Sequence, residues 1–355
     1  MNLGHGGNVE EISRKYNIEE ESIIDFSANI NPLGLSKKVK EEMIKALEKI
    51  ERYPDITYHE LKAGISKYEG VKEENILLGN GAAEVIFNIV RGLKPKKVLL
   101  PAPTFSEYAE AVESINSEVI NYKLGDNFTL DEEFIDLVNE DIDMIFICNP
   151  NNPTGVLTKK EYLEKLIKKS RKSNTTVVID ESFLDFIENN KEYSAIDICS
   201  EYNNLIVVKS LTKFFAFPGI RIGYGITKNV EYLEAINKVS ISWSINTVAA
   251  AGAKVAMEQR DYIKETIEFV KLEKRFLFNS ISEFRELMVY EGAVNFIFFK
   301  VNLDIDLREL LLREGILVRS CNNYVGLDRN FYRIAVRTRE ENSRLIEALR
   351  KVFKK

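Results

Sequence analysis

Lys213 closes the segment Ser210-Leu-Thr-Lys213, directly after the β-branched run Leu205–Val208 and ahead of Phe214, Phe215, Phe217 and Arg221. A lysine at the carboxyl end of a strand and hemmed by phenylalanines loses water from its amine. Burial then disfavours the charged form and lowers the pKa, which is what an imine-forming nucleophile needs. Ser210 and Arg221 carry the groups to grip a phosphate beside it. A second run, Thr176-Val-Val-Ile-Asp180, ends in a carboxylate that suits a protonated ring nitrogen, although acids at strand ends also cap helices. In a third, Phe146-Ile-Cys-Asn-Pro-Asn-Asn152-Pro-Thr-Gly155, two Asn-Pro steps and a glycine force an irregular turn after a strand, which either aims the Asn152 amide or exists for its own sake. A fourth, Leu78-Gly-Asn-Gly81-Ala82-Ala-Glu84, opens a helix whose free N–H groups form an anion site, a common arrangement taken alone.

The elements that must carry these residues follow from periodicity. Apolar runs at Lys97–Leu100, Met144–Cys148, Thr176–Ile179, Leu205–Val208 and Arg221–Ile226 read as strands, and the spacing predicts helices between them, such as Lys159–Ser173 and Glu84–Val90. Near-continuous apolar strands alternating with helices imply a mostly parallel sheet covered on both faces, an α/β architecture whose ligands sit beyond the strands' carboxyl ends. After about residue 245 the pattern changes to long helices, then strands at Asn295–Val301, Ile316–Val318 and Phe331–Val336, then a final helix. The expected division is therefore an arm over residues 1–35 joining the smaller unit, a large unit over 36–245 and a smaller α+β unit over 246–355.

Composition narrows the function. The chain's 355 residues include 45% hydrophobic and 29% charged, with 49 basic against 55 acidic side chains and a net charge of −6. These proportions describe a globular protein, and no single-sign run suggests a nucleic-acid or membrane surface. Two histidines, His5 and His59, and three cysteines, Cys148, Cys199 and Cys321, leave no clustered zinc set or disulfide framework. Met1–Ser13 has no apolar core of a signal peptide, so the cytoplasm is the expected location. With the fold beginning in the first 30 residues, a fused DNA-binding domain is not expected.

Taken together, the order of phosphate-binding turn, amide, carboxylate, lysine and arginine resembles the fold type I pyridoxal-phosphate enzymes, the class I and II aminotransferase family. NNPTG, the Asp180 element and the segment from Ser210 to Tyr224 carry the resemblance, which runs over essentially the whole chain. It implies pyridoxal 5'-phosphate as cofactor, bound covalently by Lys213, with Asp180 at its ring nitrogen and Asn152 at its ring oxygen. Gly81, Ala82, Ser210 and Arg221 would hold the phosphate, and Phe105 would stack on the ring. Tyr53 matches a tyrosine that reaches the partner subunit's cofactor, implying a homodimer. Plain packing is the other reading of Phe105 and Tyr53.

Arg333 lies where this family keeps the arginine that grips a substrate α-carboxylate, so the resemblance implies an amino acid. Two subfamilies are similar to the chain, the histidinol-phosphate aminotransferases and the threonine-phosphate decarboxylases of cobalamin biosynthesis. The second is closer in three places. Gly4-His5-Gly-Gly-Asn8 with Asp25-Phe-Ser-Ala-Asn29 is similar to its substrate-binding arm. Val318-Arg319-Ser-Cys-Asn-Asn is similar to its phosphate-binding segment. Phe183 stands where aminotransferases usually place a tyrosine that donates to the ring oxygen. The resemblance thus implies decarboxylation of a phosphorylated amino acid held by His5, Asn29, Arg319 and Arg333, with transamination of histidinol phosphate as the alternative.

Overall fold

The computed structural model describes residues 6–354. Thirteen strands are present among them: β1 (Ile24–Asp25), β2 (Ile76–Gly79), β3 (Lys97–Ala102), β4 (Glu118–Lys123), β5 (Met144–Cys148), β6 (Thr176–Asp180), β7 (Leu205–Ser210), β8 (Gly223–Ile226), β9 (Leu287–Tyr290), β10 (Phe296–Val301), β11 (Ile316–Leu317), β12 (Arg319–Ser320) and β13 (Phe331–Ala335).

Seven of them form the main sheet in the order β2-β8-β7-β6-β5-β3-β4. β7, β6, β5, β3 and β4 run parallel, while β8 is antiparallel to both β7 and β2. The α/β class read from the apolar runs is the class observed. β5, β6 and β7 are buried at every position, because helices cover both faces. Alternate residues feed two separate cores. Phe146, Val178, Ile206 and Val208 pack toward the helix Ala82–Leu93, whereas Ile145, Ile147, Val177, Ile179 and Val207 pack toward the helix Lys160–Lys172. The period of two therefore puts Cys148, Asp180 and Ser210, the last residues of three adjacent strands, on the face of the helix Ala82–Leu93.

The second sheet, β12-β13-β10-β9, is antiparallel. The helices Arg260–Ser282 and Arg339–Val352 cover it with Leu277, Ile281, Leu345 and Leu349. Thr338 and Glu341 make a reciprocal capping box at the start of the latter helix. β1 pairs in parallel with β11, Ile24 opposite Ile316, and this ties the arm to the C-terminal part of the chain. The helix Thr247–Met257 packs instead on the helices Lys37–Ala46 and His59–Glu69.

The boundaries shifted where local pattern was silent. β2 and β8 are short and glycine-containing, and β4 alternates polar and apolar residues as an edge strand, so β2 and β4 do not stand out as apolar runs. Where a single strand Ile316–Val318 was expected, Ile316–Leu317 form β11, which pairs with β1, and a further short strand, β12 (Arg319–Ser320), follows Val318 and pairs with β13. No helix among the described residues is long and apolar enough to cross a membrane.

Candidate active site

Beyond the carboxyl ends of β5, β6 and β7 lies a cavity of about 450 Å³, and it gathers most of the residues singled out in the sequence. Asn152, Asp180, Phe183, Ser210, Lys213, Arg221, Phe105 and Ala82 line it from the main sheet. Asn29 reaches it from the arm, and Arg319 and Arg333 reach it from the second sheet. His5 lies outside the described residues. Tyr53 is 81% exposed and stacks near Trp243, ring centroids 4.7 Å apart, away from the cavity of its own chain.

One end of the cavity is an anion cradle. The glycine turn before the helix Ala82–Leu93 holds Gly81 at φ +88°, a region that glycine enters freely and alanine does not. A Cβ on Gly81 would lie 2.5 Å from Arg221 Nη2, and one on Gly223 would lie 2.3 Å from the Ala82 nitrogen. Backbone and guanidinium thus approach each other only because both positions lack a side chain. Ala82 and Ala83, at the start of the helix where N–H groups lack intrahelical partners, line this end. Ser210 Oγ and Thr212 Oγ1 are 2.9 Å apart next to it, and Arg221 donates to the Pro218 carbonyl at 3.2 Å.

The middle holds Asp180 and Lys213. Asp180 is buried; Tyr108 donates its hydroxyl to Oδ2 at 2.8 Å and the Ser182 nitrogen donates to Oδ1 at 2.9 Å. Among the described residues no lysine or arginine lies within ion-pair distance of it, and its carboxylate suits a cationic group in the cavity. Lys213 opens onto the cavity with its Nζ 5.1 Å from the centre of the Phe183 ring. Burial lowers its pKa from the ordinary lysine value, with Asp180 pulling the other way and Arg221 reinforcing the drop. The amine is therefore easier to deprotonate than a surface lysine, as nucleophilic attack on a carbonyl requires. Beneath Asp180, Cys148 has its thiol pushed up to about 12 by burial, then by Asp180, and is inert as a nucleophile.

The far end carries two arginines. Arg319 and Arg333 are direct register partners on β12 and β13, so their side chains leave the sheet on the same face. Both are buried. Arg319 donates to Asn323 Oδ1 at 2.7 Å and lies over the Tyr324 ring. Arg333 donates to the Ser27 carbonyl at 3.0 Å and to Asn152 Oδ1. With its amide turned to face the guanidinium, Asn29 accepts from Arg333 at 3.2 Å. Burial holds the Arg333 pKa below its ordinary value. The Asn152 oxygen also accepts from the Tyr324 hydroxyl at 3.2 Å, so the NH₂ end of that amide is the end left to donate.

Three contributors escaped the sequence reading. Tyr108 lies three residues past Phe105 across the turn that enters the helix Glu107–Glu113, and that spacing is the signal that would have paired them. Tyr324 sits in the segment quoted for Arg319, but only the folded turn brings it to Asn152. The Ser27 carbonyl has no side-chain signature at all.

The aminotransferase class I and II family model matches residues 21–349. The chain is 35% identical to the threonine-phosphate decarboxylase of Salmonella typhimurium, covering 99% of this chain and 97% of that one. It is 32% identical to the histidinol-phosphate aminotransferase of Methanococcus aeolicus, covering 98% and 94%. Among solved structures, the histidinol-phosphate aminotransferase of Clostridium acetobutylicum superposes with a TM-score of 0.87 at 32% identity, over 92% of this chain and 98% of that one.

Proposed function

Because the chain belongs to the class I and II aminotransferase family, we propose that it decarboxylates L-threonine O-3-phosphate to (R)-1-aminopropan-2-yl phosphate, a step of cobalamin biosynthesis. Its cofactor is pyridoxal 5'-phosphate, and the residues present fit that group. The Gly81 turn with Arg221 and Ser210 is a cradle for its phosphate that any added Cβ would fill. The buried Asp180 carboxylate would pair with a protonated ring nitrogen, and the Asn152 amide, its oxygen already accepting from Tyr324 and Arg333, would donate through its NH₂ to a ring oxygen. Lys213 would hold the aldehyde carbon through Nζ, with Phe105 against the ring. When bound, the cofactor ring supplies the electron sink that lets a bond at the substrate's Cα break.

What the chain itself does is anchor and protonate. The observation that carries the reading is the Arg319 and Arg333 pair, two buried cations on adjacent register positions that share one cavity with Lys213. Two fixed cations suit a substrate with two anionic groups: Arg333 takes the α-carboxylate, and Arg319, with His5 from the arm, takes the phosphate. Holding both ends fixes rotation about Cα, and so selects which bond stands perpendicular to the ring plane. The Lys213 amine, facing the cavity between Asp180 and the two arginines, would return a proton to the substrate's Cα. Phe183 closes the site with an apolar ring and donates nothing to the ring oxygen.

Tyr53, exposed and outside its own cavity, is assigned to the partner subunit's site in a homodimer. The arm over 1–35, the large unit over 36–245 and the smaller unit over 246–355 are assigned as the working parts, and the cytoplasm as their location. The test is to load the protein with pyridoxal phosphate, add L-threonine O-3-phosphate without any oxo acid, and follow carbon dioxide. Sustained release is expected. No release, with glutamate formed from 2-oxoglutarate and histidinol phosphate, would make the protein an aminotransferase.

A further inference from the structure

We propose that Tyr324 is a positioning residue: its hydroxyl keeps the Asn152 amide aimed at the cofactor's ring oxygen after Arg333 has turned to the substrate. The inference rests on the functional reading above and adds a residue to it.

Two consecutive turns put Tyr324 there. The Cys321 nitrogen donates to the Phe331 carbonyl at 2.8 Å as β12 ends, Tyr324 N donates to Cys321 O at 3.1 Å, and Leu327 N donates to Tyr324 O at 3.1 Å. Gly326, at φ +85°, lets the second turn close. The chain folds back, so the Tyr324 ring lies under the Arg319 guanidinium, 5.5 Å from ring centre to Cζ, and its hydroxyl crosses to Asn152, on the loop after β5 of the main sheet.

Asn152 Oδ1 accepts from Tyr324 and from Arg333. A carboxamide oxygen has two lone pairs, so both are taken, and the opposite orientation would set NH₂ against a guanidinium that has only donors. In the free protein either contact suffices to orient the amide. In the functional reading above a substrate carboxylate also bonds Arg333, and because charge-assisted bonding to a carboxylate is stronger than bonding to an amide, its arrival weakens the hold of Arg333 on Asn152. As that hold weakens, the Tyr324 hydroxyl becomes the contact that fixes the oxygen. Phe183 has no hydroxyl that takes over the contact to the ring oxygen. Tyr324 therefore couples the substrate end of the cavity to the cofactor end, and its effect is confined to the occupied site.

The variant is Tyr324→Phe, which keeps the ring under Arg319 and removes the hydroxyl together with its contacts to Asn152 and Arg319. The primary readout is the pH midpoint of the visible absorbance of the cofactor-loaded protein, alone and saturated with 3-phosphonopropionate, a carboxylate and phosphonate dianion without an amine. Alone, wild type and variant should share one midpoint and one affinity for pyridoxal phosphate. With the dianion bound, the variant's midpoint should rise by about 0.5–1 unit over wild type, and kcat should fall roughly 3- to 10-fold with KM little changed, the effect of one lost hydrogen bond. In an Asn152→Ala background the same substitution should cost nothing further. A midpoint already shifted in the ligand-free variant, or unmoved in the liganded one, or full additivity with Asn152→Ala, overturns the role. A wild-type protein with no visible band sinks the functional reading and this inference with it, whereas a normal wild-type band with an unmoved variant overturns Tyr324 alone.

Discussion

Replacing Arg319 by Met should separate the phosphorylated substrate from its unphosphorylated counterpart. The guanidinium is buried, carries five N–H donors and donates to Asn323 at 2.7 Å, with its plane over the Tyr324 ring. Two charge-assisted hydrogen bonds to a phosphate, at roughly 1.5–3 kcal/mol each, amount to about 3–6 kcal/mol. That corresponds to a loss of roughly 10²- to 10⁴-fold in kcat/KM for L-threonine O-3-phosphate. For L-threonine, which offers Arg319 nothing to hold, kcat/KM should change by less than about threefold, the residue being a packing contact only. Arg319→Lys keeps the charge but loses the forked geometry and should fall between wild type and Met. The assay is carbon dioxide release over a substrate series for each variant. Equal losses for both substrates would refute the reasoning, since they would show that Arg319 supports the cavity as a whole and binds no phosphate.

Other substitutions probe the remaining parts. Lys213→Ala should leave no cofactor attached after borohydride reduction and denaturation, read by mass spectrometry, and no turnover; an adduct retained elsewhere would remove the central assignment. Gly81→Ala puts a Cβ 2.5 Å from Arg221 Nη2 at φ +88°, and should weaken pyridoxal phosphate binding at least tenfold, measured by titration of the apo protein. Unchanged affinity would mean that the turn is no phosphate cradle. Glu181 tests the buried charge on the opposite face of the sheet. Its carboxylate accepts from Ala195 N at 2.6 Å and Ser194 Oγ at 2.8 Å, and burial pushes it from 4.5 to about 7, with Lys209 as the main opposing influence. A carboxyl raised in the fold favours folding fully below 4.5 and loses that contribution as pH rises to about 7. Glu181→Gln should therefore gain Tm relative to wild type between pH 4.5 and pH 8, by a free energy on the order of 3 kcal/mol. A difference in Tm that stays flat or shrinks across that range would contradict the assignment.

Glu181 belongs to a wider group that illustrates how much a strand's alternation hides. Lys209 and Ser210 are neighbours in β7, yet Ser210 faces the cavity while Lys209 points through the sheet to Asp185, at 2.6 Å, and Glu69, at 3.4 Å. Four residues from Lys213, Lys209 is the one fully engaged in ion pairs: burial works against its charge, but Asp185, Glu69 and Glu181 together outweigh it and hold the pKa above the ordinary lysine value. The difference between the two lysines is one of environment: Lys209 meets carboxylates in the core, and Lys213 meets phenylalanine and open space.

What the sequence determined by itself was everything local. Apolar runs of three to five residues at β5, β6 and β7, rich in β-branched side chains and too short for helices, specify buried parallel strands, and the polar residues that follow each run fall at the strands' ends by simple counting. Asn152, Asp180, Ser210, Lys213 and Arg221 were legible for that reason, as was the glycine turn at 81, where the residue type itself reports the backbone. The tertiary structure decided what depends on elements far apart in the chain. That Arg319 stands opposite Arg333 is a matter of antiparallel register, that Ser27 and Asn29 join them follows from β1 pairing with β11, and that Tyr324 and Tyr108 complete the site is settled by turns and a helix face. Such contacts are fixed by the burial of two sheets and the arm around one cavity, a balance over the whole chain that no stretch of residues encodes alone.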